Sequence, residues 1–144
     1  MGLVTSAMPD IEWEPLRSYF EALARHELAF PQCDACGRFQ WYPRAMCQDC
    51  MGRDFSWTVV PARGRVYSHT VVKRIWLAEA KVPYSVVLVR MDEAPGVTLI
   101  CNLADENQRD KLAIDVPVTF EFLEVGAEKK TDRRIVMPFA RLSP

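Results

Sequence analysis

Cys33, Cys36, Cys47 and Cys50 stand in the pattern C-x2-C-x10-C-x2-C. Two cysteines separated by two residues present both sulfurs from one tight turn, and two such turns supply the corners of a tetrahedral thiolate site. Each pair is closely followed by a glycine, Gly37 and Gly52, able to take the positive-φ backbone that brings peptide N–H groups toward the sulfurs of a knuckle. The competing reading is two disulfides of a small secreted domain. It is disfavoured because no apolar signal segment precedes Met1-Gly2-Leu3-Val4 and the rest of the chain is not cysteine-rich. Four sulfur ligands leave no position for water, so the expected ion is a closed structural staple and not a catalytic centre.

Other residue types offer less chemistry. The two histidines, His26 at a helix end and His69 in a strand, stand in no nucleophile or metal motif. Cys101 lies among strand-forming apolar residues in Leu99-Ile100-Cys101-Asn102-Leu103, where a buried small hydrophobe is the simpler reading than a nucleophile, which needs a nearby cation or helix start. The carboxylates are scattered and suit solvated positions better than an acid–base pair. The basic residues are concentrated: Arg38, Arg44, Arg53, Arg63, Arg65, Lys73 and Arg74 face only Asp49 and Asp54 within residues 38–74, giving that stretch +5 and the remainder −6 of a net −1.

The elements that must carry these residues follow from periodicity. With 144 residues, 49% of them hydrophobic, the chain can bury one core plus a small metal module. It holds no apolar run of membrane length, and a soluble, cytoplasmic protein is expected. Trp13, Leu16, Phe20, Leu23 and Ala24 recur at three- and four-residue spacing, which predicts an amphipathic helix over residues 13–24 with Pro15 in its first turn. Residues 28–32 and 39–42 read as short strands entering and leaving the first knuckle. A long strand is expected over residues 57–74, interrupted by a bulge or bend between Pro61 and Gly64. Strands follow over residues 84–91, 97–103, 116–124 and 134–141. The turn signal Asp92-Glu93-Ala94-Pro95-Gly96 joins the first two of these, and a short helical or irregular connector at 105–112 precedes the third. Five strands with a connector between the third and fourth match the order of an OB-fold. The expected organisation is mainly β: an N-terminal helical segment (1–27), a metal ribbon (28–57) and a five-stranded OB-fold barrel (58–144).

The order of these motifs resembles a known family. Cys33-x2-Cys36-Gly37, Tyr42-Pro43-Arg44, Cys47-x2-Cys50, Gly64-Arg65-Val66-Tyr67-Ser68-His69-Thr70, Pro83-Tyr84 and Leu88-Val89-Arg90-Met91-Asp92 with Asn102-Leu103 are similar to the domain of unknown function 35 family, from about Trp13 to Leu142. Two stretches depart from it: Ile114-Asp115-Val116-Pro117 stands where the family tends to a Gly-Met-Pro, and Met137-Pro138-Phe139-Ala140-Arg141 replaces a Pro-x-Phe-x-Pro. The resemblance implies a helix or helical hairpin, a rubredoxin-like zinc ribbon and an acyl-CoA-associated OB-fold, usually an accessory subunit of thiolase-like or other acyl-CoA enzymes. Zinc is the implied ion, and a rubredoxin-like site also takes iron.

Three functional readings follow. The first is a non-catalytic accessory subunit in a hetero-oligomer with a thiolase-type or related acyl-CoA enzyme, with the CoA ester at or near the interface. On this reading Arg44, Arg65, Lys73 and Arg74 are the candidates for the CoA phosphates. The second is a free-standing acyl-CoA-binding module. The third, single-stranded nucleic-acid binding, is disfavoured because strands 84–91 and 97–103 offer only Tyr84 as a stacking platform and the chain has a pI near 6.1. Trp41, Tyr42, Trp57 and Trp76 are read as core packing for the most part, with Trp41 and Tyr42 as candidate docking anchors.

Overall fold

The computed structural model describes residues 9–74, 81–126 and 135–144. Its α-helix, α1, spans Glu14–Ala24, with Pro15 in the first turn and Tyr19, Ala22 and Leu23 buried. These positions lie three and four residues apart, with Leu16 and Phe20 packed beside them, but Trp13 and Ala24, expected on the same stripe, are exposed. His26 leaves the helix with φ 60° and stacks its ring on Phe122, centroids 5.6 Å apart.

Next, β1 (Leu28–Cys33) and β2 (Phe55–Val60) form a two-stranded antiparallel sheet, registered from Leu28 opposite Val60 to Cys33 opposite Phe55. The residues between them form the tip of this hairpin, which carries Cys36, Cys47 and Cys50, while Cys33 ends β1. Phe39 adds one bridge to Gln32 and no strand follows it, unlike the expectation for residues 39–42. The reason is Trp41, which turns inward against Tyr19 (4.8 Å between centroids) and Phe30 (5.1 Å).

The barrel is closed, in the order β3 (Arg63–Val72), β4 (Tyr84–Met91), β5 (Thr98–Leu103), β7 (Ile135–Leu142), β6 (Pro117–Val125), with β6 returning to β3. A 3-10 turn, η1 (Glu106–Lys111), connects β5 to β6, capped by the Asp105 side chain accepting from Asn107 N–H. The stretch expected as one long strand from residue 57 is thus two: Phe55–Val60 belongs to the ribbon hairpin, and the barrel strand starts at Arg63 after Pro61 and Ala62. Proline has no N–H to extend the ladder, and the chain changes sheets there. The expected start of the last strand at Arg134 lies outside the described residues. Barrel closure rests on a short parallel contact, Asn102 opposite Phe139 and Leu103 opposite Ala140.

One apolar cluster joins the parts: Tyr19 and Leu23 from the helix, Leu28, Phe30 and Val60 from the ribbon, and Met91, Ala94, Val97 and Leu99 from the barrel. A second fills the barrel, with Val66, Val87, Val89, Cys101, Leu103, Val118, Ala140 and Leu142. Gly64 is a point of closest approach: a Cβ there would lie 2.3 Å from the Arg90 carbonyl oxygen. The barrel end is held by a polar knot. Glu106 accepts from Ser85 N–H (2.6 Å), Ser85 Oγ (2.9 Å) and the Arg109 guanidinium, while Gln108 and Leu142 exchange two hydrogen bonds. Among the described residues no helix is long and apolar enough to cross a membrane.

Candidate functional site

The two cysteine turns are built alike. Gly37 N–H donates to the Cys33 carbonyl (2.8 Å) and Cys33 N–H to the Arg38 carbonyl (2.8 Å); Met51 N–H donates to the Cys47 carbonyl (3.0 Å) and Cys47 N–H to the Gly52 carbonyl (2.7 Å). Each turn places its fifth residue, counting from the first cysteine, in the left-handed region: Gly37 at φ 76° and Met51 at φ 63°. The expectation of two positive-φ glycines therefore holds in the first knuckle only. Gly52 is needed for another reason, since a Cβ there would press to 3.2 Å on both Cys33 Sγ and Cys50 Sγ.

The four sulfurs all lie within 4.8 Å of one another, with Cys33 Sγ 3.6 Å from Cys50 Sγ and Cys36 Sγ 3.7 Å from Cys47 Sγ. A tetrahedron of thiolates about zinc at ~2.3 Å has edges of about 3.8 Å. These spacings fit that solid and are far from the ~2.05 Å of a disulfide. All five cysteines are free thiols, and Cys33 and Cys47 are buried while Cys36 and Cys50 reach the surface.

Donors aim at the sulfurs. Gly52 N–H donates to Cys50 Sγ (3.4 Å) and the Gln40 side-chain amide to Cys47 Sγ (3.5 Å). The backbone N–H groups of Cys50 and Asp49 hold the Cys47 thiol down at about 7, within thiolate range at neutral pH. At Cys50 the Gly52 N–H pulls the same way, but the Cys33 sulfur beside it and burial oppose it, and the pKa stands at about 12. Four thiolates crowded together repel, and a divalent cation among them removes that conflict. The donor set and its spacing fit zinc, and the site offers a metal no open position.

The basic candidates are not gathered in one place. Arg44 is exposed on the ribbon loop, Arg65 is exposed near the start of β3, and Lys73 and Arg74 are exposed just past its end. Seven residues of strand lie between Arg65 and Lys73, a span of roughly 26 Å at about 3.3 Å per residue step. Arg65 donates to the Asp115 carbonyl (3.0 Å). Opposite it across the β3–β4 ladder stands Arg90, named in the sequence only within a family motif and not as a site candidate, which pairs with the Asp115 carboxylate (3.0 Å) and lies 5.9 Å over the Tyr67 ring. The signal that could have found Arg90 is the strand register, which places the two guanidinium groups side by side.

Cys101 faces the barrel interior, donates to the Val87 carbonyl (3.7 Å), and has its thiol pushed up to about 12 by burial. That is the reverse of an activated nucleophile. His69 is exposed on β3. Of the four aromatics singled out in the sequence, Trp41 and Trp57 pack against the apolar core, Tyr42 is 55% exposed, and Trp76 lies outside the described residues.

Comparison with known proteins divides the chain between residues 56 and 57, within β2. A family model described as "ChsH2, rubredoxin-like zinc ribbon domain" matches residues 20–56, and one described as "ChsH2, C-terminal OB-fold domain" matches residues 57–123. Among solved structures, a chain of the "Ltp2-ChsH2(DUF35) aldolase" is 27% identical with a TM-score of 0.78, the match covering 94% of this chain and 98% of that one. A protein of unknown function from the DUF35 family of Sulfolobus solfataricus shares the fold, at 16% identity and TM-score 0.54 over 72% of this chain and 75% of that one. Comparison with curated proteins returns no match.

Proposed function

Because the chain belongs to the DUF35 family, with a zinc ribbon and an OB-fold of the ChsH2 type, we propose that it is a non-catalytic accessory subunit. Its partner is an enzyme that processes acyl-CoA esters, of the thiolase type or related to it, and it helps to seat the CoA ester and to assemble the complex. The observation that carries this reading is the match over nearly the whole of both chains to a component of a solved aldolase that pairs ChsH2 with Ltp2.

The surface agrees with a subunit. Tyr42, Met46 and Met51 of the ribbon tip are 55%, 44% and 72% exposed, and Trp13 at the start of α1 is 54% exposed. Met51 holds a large apolar side chain in solvent at a left-handed position that glycine would fill without strain. Exposed aromatic and methionine side chains are what interfaces enrich. Since Trp41 is folded inward, Tyr42 takes over as the ribbon anchor. Cys101 is buried with its thiol pushed up and the other four cysteines are gathered in the cluster, so no cysteine is exposed as a free nucleophile outside it. Metal held by free thiolates suits a reducing compartment, so we place the protein in the cytoplasm.

Of the candidates Arg44, Arg65, Lys73 and Arg74, the neighbouring Lys73 and Arg74 are the pair suited to the CoA phosphates, since Arg65 lies at the other end of β3. The test is expression of the protein with its native enzyme partner. A subunit co-purifies in fixed stoichiometry, shows no turnover alone and binds CoA esters poorly alone, and Tyr42→Ala weakens the complex by ~2 kcal/mol or more. Lys73→Glu should weaken CoA use while leaving the complex assembled. Tight CoA-ester binding by the isolated chain, with no partner recovered, would instead make it a free-standing module.

A further inference from the structure

Gln40 lies between the two cysteine pairs, and its surroundings are unusual for a glutamine. It is 2% exposed. Its backbone N–H donates to the Pro31 carbonyl of β1 (2.9 Å), and Phe39 before it bridges Gln32, so the residue is locked to the ribbon hairpin. Its side-chain Nε2 lies 3.5 Å from Cys47 Sγ, while its Oε1 is buried with no hydrogen-bond partner. A buried amide that leaves its carbonyl unpaired is destabilising, and leucine or methionine would fill the same volume without that loss. What sets glutamine apart from either is the N–H aimed at the sulfur. The orientation also has only one good choice, because the reverse would set the carbonyl oxygen against a thiolate.

We infer that Gln40 is a positioning residue of the metal site: its amide N–H donates to the Cys47 thiolate and sets how tightly the cluster retains its metal. Cys33 and Cys47 are the two buried cysteines of the four, at 1% and 0% exposure, and Cys47 is the one that receives a side-chain donor. Cys36 and Cys50 have water on one side, whereas Cys47 has only protein donors to spread its charge. Removing a side-chain donor there concentrates negative charge on a sulfur that solvent does not reach. Partners of this kind around a metal ligand commonly change metal affinity 10–100-fold when lost. The inference rests on the metal reading of the four-cysteine cluster.

The experiment compares the full-length protein with Gln40→Leu and Gln40→Met, each loaded with zinc and titrated against a chromophoric chelator. A donor role gives a metal dissociation constant raised about tenfold or more in both variants, with the barrel's denaturant midpoint unchanged. Cobalt-loaded protein should show a shifted thiolate-to-metal absorption band, and the iron-loaded form a more negative reduction potential, because an N–H donor to sulfur favours the reduced metal. A packing role gives the opposite: variants that are as stable as the parent or more so, with the same metal affinity, band position and potential, and that result would overturn the inference. A parent protein that takes up no metal at all would remove the metal reading itself, a failure visible before any variant is made.

Discussion

Glu106→Ala should destabilise the barrel by more than any other single surface-accessible change, because of what it leaves behind. In the parent, the carboxylate accepts from Ser85 N–H at 2.6 Å and Ser85 Oγ at 2.9 Å, and also takes the Arg109 guanidinium. Ser85 is 0% exposed, so its N–H cannot turn to water when the acceptor goes. An orphaned buried donor costs ~1–3 kcal/mol, and losing a hydrogen bond from Ser85 Oγ to a charged acceptor adds to it. The Arg109 pair counts for little because both side chains are more than a quarter exposed. Together these give about 2–4 kcal/mol, a fall of roughly 6–15 °C in melting temperature for a chain of this size. Urea unfolding with metal held in excess is the assay, and hydrogen exchange at the Ser85 amide locates the effect. Glu106→Gln, which keeps an acceptor, should lose only about 1 kcal/mol. If Glu106→Ala unfolds within ~0.5 kcal/mol of the parent, the knot does not hold the barrel end and the reasoning fails.

Chelating the metal, or Cys47→Ser, should loosen the ribbon hairpin while the barrel strands keep their exchange protection, since ordering of a small metal module is linked to ~10–16 kcal/mol of apparent binding energy; equal loss in both parts would contradict this. Gly64→Ala should prevent barrel closure or cost several kcal/mol, because its Cβ would meet the Arg90 carbonyl oxygen at 2.3 Å and Val89 Cγ1 at 2.8 Å; a well-folded variant of parental stability by thermal melting would show that β3 and β4 can separate there. Alkaline pH should test Cys101, whose thiol is raised in the fold from 9.0 to about 12. The unfolded chain loses that proton first, so stability falls as pH rises above about 9 and the loss continues until the folded-state value is passed. In a pH series of urea midpoints on metal-loaded protein, Cys101→Ala should flatten that decline, leaving the contribution of the buried Tyr19 hydroxyl, which sets in at higher pH and is also raised by burial.

What the sequence discloses and what it conceals divide along the range of the interactions. The cysteine spacing is local and names its chemistry outright, and the strand of residues 84–91 is found as Tyr84–Met91, because a run of aromatic and β-branched residues, Tyr84, Val86, Val87 and Val89, is a property of the segment itself. The connector at 105–112 is likewise present as Glu106–Lys111. Its purpose was hidden: Glu106 and Arg109 read as solvated loop charges until Ser85, far off in sequence, is folded against them. Barrel closure through Asn102 and Phe139 depends on pairing that no local period encodes. The inward turn of Trp41 was equally invisible, since an indole beside an exposed tyrosine looks the same in sequence whichever ring is buried. In the second knuckle the glycine serves a different purpose from the one its position suggests. Met51 takes the left-handed turn, while Gly52 clears space over two sulfurs.

The most direct measurement is recovery of the tagged protein from cells that express it with its native partner, followed by mass determination of the intact assembly and an acyl-CoA turnover assay on each component. The expected result is a complex of fixed stoichiometry that holds one metal per copy of this chain and turns over acyl-CoA substrate, with no turnover by this chain alone. Turnover by the isolated chain, or its recovery without any enzyme subunit while it binds acyl-CoA tightly, would contradict the account.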